Sequence, residues 1–256
     1  MKNKMIIIML ILAMLGLTLA CNLPSTVSVD NTPIVIVERG SGKLTSEERT
    51  ISSFKILSIA GGGWIKLVQG DEYKLVIEAE DNILPHIKSE IDGDRLKIGY
   101  DENSWKDRYV PTKKITYTLT IPTLEKIILL GGAEIESDSL EVEKLDLDLN
   151  GGANVILNGF KAETLNVQLD GGVNFSINGE VATQTIKVNG AANYTAGNLK
   201  SGTTDLVING AGNATIWAVD ALNIRLIGVG TVNYYGSPQV SKDIQGLGTV
   251  TSLGEK

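Results

Sequence analysis

A glycine-led tetrapeptide recurs about every twenty residues through the second half of the chain. Its copies begin at Gly131, Gly151, Gly171, Gly190 and Gly210, with degenerate copies at Gly228 and Gly246, so the intervals are 20, 20, 19, 20, 18 and 18 residues. A fixed period of this size marks stacked supersecondary units, each too small to bury its apolar face alone. The fold class follows from this one feature.

Apolar residues alternate with polar ones on both sides of each glycine. Leu147 and Leu149 precede Gly151, and Val155 and Leu157 follow it; Val167, Leu169, Phe175 and Ile177 repeat the pattern around Gly171. Period-two alternation interrupted by glycine reads as two short strands joined at a bend. Asn150-Gly151 and Asn158-Gly159 are hairpin-type dipeptides, but they lie eight residues apart, too close for an antiparallel meander. The expectation is therefore an all-β, single-stranded, right-handed parallel β-helix, a solenoid with turns of about twenty residues. Corner glycines would supply positive φ and leave no Cβ to strike the copy above. A column of Asn154, Asn174, Asn193 and Asn213 would chain its amides from turn to turn.

Residues 1–20 have the layout of a signal peptide: Lys2 and Lys4, an apolar run from Met5 to Leu19, then Ala20 before Cys21. Leu17-Thr18-Leu19-Ala20-Cys21 resembles a bacterial lipobox, and Cys21 is the chain's single cysteine. It is the expected lipid attachment site, with the membrane as partner through that lipid. An ordinary signal peptide with an incidental cysteine is the competing reading. Removing residues 1–20 takes two lysines and no acid, which leaves 21 basic against 30 acidic residues and a net charge of −9. No basic cluster is present, so nucleic acid is not an expected partner. The expected location is the cell envelope or surface.

Residues 21–46 read as the lipidated N-terminus and a polar tether, and 47–122 as an irregular, strand-rich N-terminal β region that caps residues 123–254, the glycine-cornered repeats. Gly61-Gly62-Gly63-Trp64 resembles the later corners, and Asp92-Gly93-Asp94 suggests a hairpin turn. Asp101–Thr112 is a polar excursion.

Several segments together resemble the head domain of putative autotransporter adhesins, the GIN domain, a family of unknown function. They are Arg49–Phe54 leading into Leu57–Gly61, Val68–Asp71, Glu80–Leu84, Asp92–Ile98, Ile121–Leu124, the glycine repeats, and Tyr235–Pro238 with Gly246–Gly248. The resemblance spans roughly residues 47–254. It implies a β-helical, often lipid-anchored or secreted bacterial surface protein and supplies no catalytic residue.

Enzyme chemistry has few candidates. Asp146 and Asp148 lie two residues apart on one outer face, a spacing compatible with an inverting glycosidase pair. Nothing nearby walls off a cleft, so a solvated sheet face is the plainer account. His86 is the single histidine, and no motif sets a nucleophile beside it. The calcium-binding nonapeptide repeat is absent, so neither a metal nor another cofactor is expected. The expected function is a non-catalytic surface lipoprotein, an adhesion or binding module for a glycan or protein ligand. The alternatives are a structural envelope protein without a specific ligand and a polysaccharide-acting β-helix enzyme. Trp217, Tyr235 and Leu253 share one outward position in successive repeats and form the expected partner contact. Cover by the chain's final segment, or contact between copies in a homo-oligomer, competes with that reading.

Overall fold

The computed structural model of the protein describes residues 36–100 and 107–256. The leader, Cys21 and residues 101–106 of the polar excursion lie outside the described residues. Among the described residues, fourteen strands run in order: β1 (Ile36–Arg39), β2 (Leu44–Arg49), β3 (Ile56–Ala60), β4 (Gly63–Gln69), β5 (Lys74–Glu80), β6 (Ile87–Asp92), β7 (Arg95–Tyr100), β8 (Asp107–Val110), β9 (Thr116–Ile121), β10 (Lys126–Leu130), β11 (Ala133–Ser137), β12 (Leu140–Glu141), β13 (Lys144–Tyr235) and β14 (Gln239–Ser252). A 3-10 turn at Leu84–His86 precedes β6.

The expected single parallel β-helix is corrected by the strand pairing. The principal sheet is mixed, in the order β2-β5-β9-β4-β11-β13-β10-β3-β7-β6, with β12 and β14 added on β13. Pairs β2–β5, β5–β9 and β6–β7 are antiparallel. The sheet curls, barrel-like, through β13: residues 146–150 pair with β10 and residues 153–157 pair with β11, on opposite sides of the Gly151 corner. Both arms therefore face one core. The physical reason for the departure lies before the repeats. Residues 64–130 carry no glycine corner of the repeating kind, and reversing turns replace it. At Gly93, φ of +62° allows a two-residue loop that closes β6 onto β7, with Asp92 opposite Arg95.

Within the repeats, pairing is parallel and follows the sequence period. Ile127 lies beside Leu147, and Ile224 beside Lys242. The Gly61 corner joins the same register across seventy residues, since Leu130 pairs with Ala60 and Ala133 with Gly63. Inward columns build the core: Leu147, Leu149, Val155 and Leu157 are buried, as are Val167, Leu169, Phe175 and Ile177. Phe175 and Tyr194 stack at 5.2 Å between centroids.

The corner glycines are dictated by close approach. Gly151 has φ of +133°, and a Cβ there would lie 2.1 Å from the Gly131 carbonyl oxygen. Gly152, next along, has open space around it. Only the first glycine of the pair meets a wall.

Candidate contact surface

Seven residues after each corner glycine the backbone points a side chain outward, and this column changes character along the stack. It begins with Asp138 and passes to Asn158 and Asn178, which are joined by a 2.7 Å amide hydrogen bond. It continues through Gly197 to Trp217, Tyr235 and Leu253. Trp217 and Tyr235 are half-buried and Leu253 is 44% exposed. The three residues expected to form a contact thus lie at equivalent places in successive repeats. Leu253 donates its N–H to the Tyr234 carbonyl at 2.7 Å, which ties the last of them to the rung below. Val207 and Ile227 are half-buried on other columns.

A buried polar chain fixes the strand that carries Trp217. The Tyr194 hydroxyl donates to Gln184 Oε1 at 2.7 Å, Gln184 Nε2 donates to Thr204 Oγ1 at 3.0 Å, and Ser201 lies 2.8 Å from Thr204. Ser201 Oγ then donates to the Trp217 carbonyl at 2.8 Å. All four side chains are buried, and burial pushes the Tyr194 hydroxyl above the usual tyrosine range. A satisfied network in a low-dielectric core holds its members in one arrangement.

Lys256 completes the surface, and the pattern that found the aromatics gave no sign of it. Its ammonium lies 5.3 Å from the Trp217 ring centroid and 4.9 Å from that of Tyr235. It also donates to the Gly197 carbonyl and to Asn198 Oδ1. A Cβ at Gly197 would stand 3.0 Å from the Thr215 methyl and 3.4 Å from the Tyr235 ring, so the glycine keeps this place tight but clear. A cleft of about 210 Å³, walled by Ser176, Asn178, Thr195 and Thr215, adjoins it.

Elsewhere the sequence candidates are held by partners. Asp146 forms an ion pair with Lys144 at 2.9 Å and accepts from Asn166 at 2.8 Å. Partial burial raises its carboxyl pKa, but these bonds outweigh burial and leave it below the ordinary value. Asp148 pairs with Lys126 at 2.5 Å. The two aspartates line one cleft of about 240 Å³ with Asn166 and Lys187, and each is paired there with a lysine. His86 ends the 3-10 turn, stacks on Tyr109 at 4.4 Å and approaches Glu38 at 3.5 Å. Tyr109 stacks in turn on Tyr100, and this aromatic wall borders a groove of about 700 Å³ floored by Gly62, Gly132 and Gly152. A second open groove, of about 840 Å³, runs past Val142, Val181 and Val219 with charged rims. Neither groove was legible from the repeat. Among the described residues, no group of His, Cys, Asp or Glu could hold a metal ion, and no helix is long and apolar enough to cross a membrane.

Residues 53–238 match the family model described as "Putative auto-transporter adhesin, head GIN domain". Among solved structures, a putative adhesin from Bacteroides fragilis is similar at 26% identity and a TM-score of 0.76, over 84% of this chain and 100% of that one. A putative adhesin from Parabacteroides merdae shares the fold at 21% identity and a TM-score of 0.61, over 85% and 99%. A putative lipid binding protein from Parabacteroides distasonis shares it at 18% and 0.69, over 85% and 99%. No curated protein matches the chain. The family match covers well over half of the sequence, so the chain belongs to the adhesin-head GIN-domain family.

Proposed function

We propose that the protein is a non-catalytic, extracytoplasmic binding module, anchored by lipid at Cys21, that presents a rigid sheet face to a glycan or protein ligand. One observation carries this reading: Trp217, Tyr235 and Leu253 form an outward column across successive repeats, and a buried hydrogen-bond network holds the backbone at Trp217. Aromatic side chains on a rigid support make contact area at little entropic cost. Family membership supports a surface location. The carboxylates that hydrolysis would need are bound to Lys126, Lys144 and Asn166, which favours binding over catalysis.

The test is a glycan and matrix-protein array probed with soluble protein spanning residues 22–256. The expected outcome is a discrete set of ligands whose retention falls at least tenfold in Trp217→Ala, roughly 1.4 kcal/mol. Equal retention by both proteins removes the column from the reading, and an empty array favours a structural envelope role. The anchor has its own test: metabolic palmitate labelling should vanish in Cys21→Ala. Self-association would use β14, which pairs with β13 on one side and offers its other edge.

A further inference from the structure

We infer that Trp217, Tyr235, the Gly197 carbonyl and Asn198 form a recognition site for a primary alkylammonium group, filled in this structure by Lys256. The inference rests on the reading of this face as the contact surface and names the chemistry it takes.

The site has the features such a ligand requires. Two aromatic faces approach the nitrogen from one side, at 5.3 and 4.9 Å, within the range where a ring quadrupole attracts a cation. A backbone carbonyl and a side-chain amide oxygen take two of its N–H groups. Lys126, by contrast, rests on the Asp148 carboxylate. Among the described residues, no carboxylate pairs with Lys256; its neighbour Glu255 accepts from Ser237 instead. The ammonium is held by neutral acceptors arranged around its shape. Trp64 is approached by two lysines in a different setting: Lys66 lies 3.7 Å and Lys114 4.2 Å from its ring, Lys114 pairs with Glu134, and the Trp64 indole N–H donates to Glu136, so carboxylates border that ring where carbonyl and amide oxygens border the Lys256 site.

The supports are also built for the purpose. Gly197 interrupts the outward column where a Cβ would stand 3.0 Å from the Thr215 methyl, and Ser201 fixes the Trp217 backbone from the core. The adjoining cleft carries Thr195, Thr215 and Asn178, polar groups suited to the remainder of a ligand. Because two contacts are hydrogen bonds from N–H, the site discriminates: a primary ammonium satisfies both acceptors, and a quaternary one leaves both bare. Lys256 competes as a tethered ligand at an effective concentration of about millimolar, so it lowers the apparent affinity for free amines.

The experiment is titration of n-butylammonium into the intact protein, Lys256→Ala and Lys256→Met, followed by calorimetry and by the indole and tyrosine ring resonances in NMR. The expected result is saturable binding to both variants, at least tenfold tighter than to the intact chain, with tetramethylammonium weaker by a similar factor. Adding Trp217→Ala to Lys256→Ala should abolish it. Absence of binding to both Lys256 variants, or retention after Trp217→Ala, overturns the inference. Circular dichroism of each variant reports folding. An empty array with butylammonium binding intact would sink the adhesion reading and leave this one standing.

Discussion

The two ends of the repeat stack meet the same physical problem with different means. A terminal rung exposes one face of its core and a row of unpaired backbone groups. At the first end, extra elements cover both: β6 closes antiparallel onto β7, β5 onto β9, and β2 onto β5. Phe54, Leu75, Ile77 and Leu96 are buried there. At the last end nothing among the described residues lies beyond β14, and composition does the work. The inward column of Leu147, Val167, Ile186, Leu206 and Ile224 ends in Lys242. Another, with Leu157, Ile177, Ala196 and Ile216, passes through Tyr234 to Ser252. The apolar residues that persist pay in exposure: Ile244 is 36% exposed where Leu226, its partner on the rung below, is fully buried. A stack needs atypical terminal units, and this one builds the first from added strands and the last from polar substitutions.

Substitution between the ends should have the largest effect, since interior rungs have neighbours on both sides. Gly151→Ala places a Cβ 2.1 Å from the Gly131 carbonyl at a φ of +133°. It should cost roughly 3 kcal/mol or more, read as a fall in urea midpoint. Gly152→Ala, with open space and no positive φ, should stay within about 0.5 kcal/mol. Equal costs would show that the corner tolerates a shift of the rung above.

The contrast between rungs comes next. Leu226→Ala should cost about 3 kcal/mol, the usual range for a closed core site. Ile244→Ala, in the same column one rung on, should cost about 1 kcal/mol because its side chain is already partly in water. Similar losses in both would mean that the last rung is covered in solution, and sedimentation velocity would then show self-association.

The first end has a built-in pH dependence. Glu80 is buried, which by itself opposes ionisation. The Thr112 hydroxyl and the N–H groups of Thr112, Gly42 and Lys113 outweigh burial and pull its carboxyl down to about 2. Its folded value lies below its unfolded value, so its stabilisation is complete above about pH 4.5 and is lost as pH falls towards 2. Thermal melts of the intact protein should decline through that window. In Glu80→Gln the decline should flatten, from a lower starting Tm. An unchanged acid profile would assign the sensitivity to other carboxylates.

What could be read from the sequence divides along the same line. The period and the inward columns translate directly into register, since Gly131, Gly151 and Gly171 sit under one another and each glycine is there because a Cβ would strike a carbonyl. The antiparallel strands break the expected uniform solenoid, and their pairing is long-range: β2 finds β5 and β5 finds β9 without any repeated residue to mark the match. Only Gly93 announced a reversal locally. The outward alignment of Trp217, Tyr235 and Leu253 was legible because alternation fixes which residues face out, whereas Lys256 was not, because a long side chain reaches across residues by flexibility rather than by period. The aromatic wall of Tyr100 and Tyr109 was hidden for the same reason: two strands separated in sequence bring it together.

The smallest effect asks whether the two ends communicate through the outer face. Asn193 Nδ2 donates to Asn174 at 3.0 Å, and Asn213 Nδ2 donates to Asn193 at 3.2 Å. The same column carries Trp64 and Glu134 at the first end, and Thr231 and Thr249, joined at 3.4 Å, at the last. These amides are exposed, so water replaces each lost bond, and Asn193→Ala should cost only about 0.5–1 kcal/mol. Stability in such a stack passes between neighbouring rungs chiefly through the buried columns, so calorimetry should show one transition at a slightly lower Tm. Two separated transitions, or a loss beyond about 2 kcal/mol, would mean that the surface ladder and not the core holds the capped end to the open one.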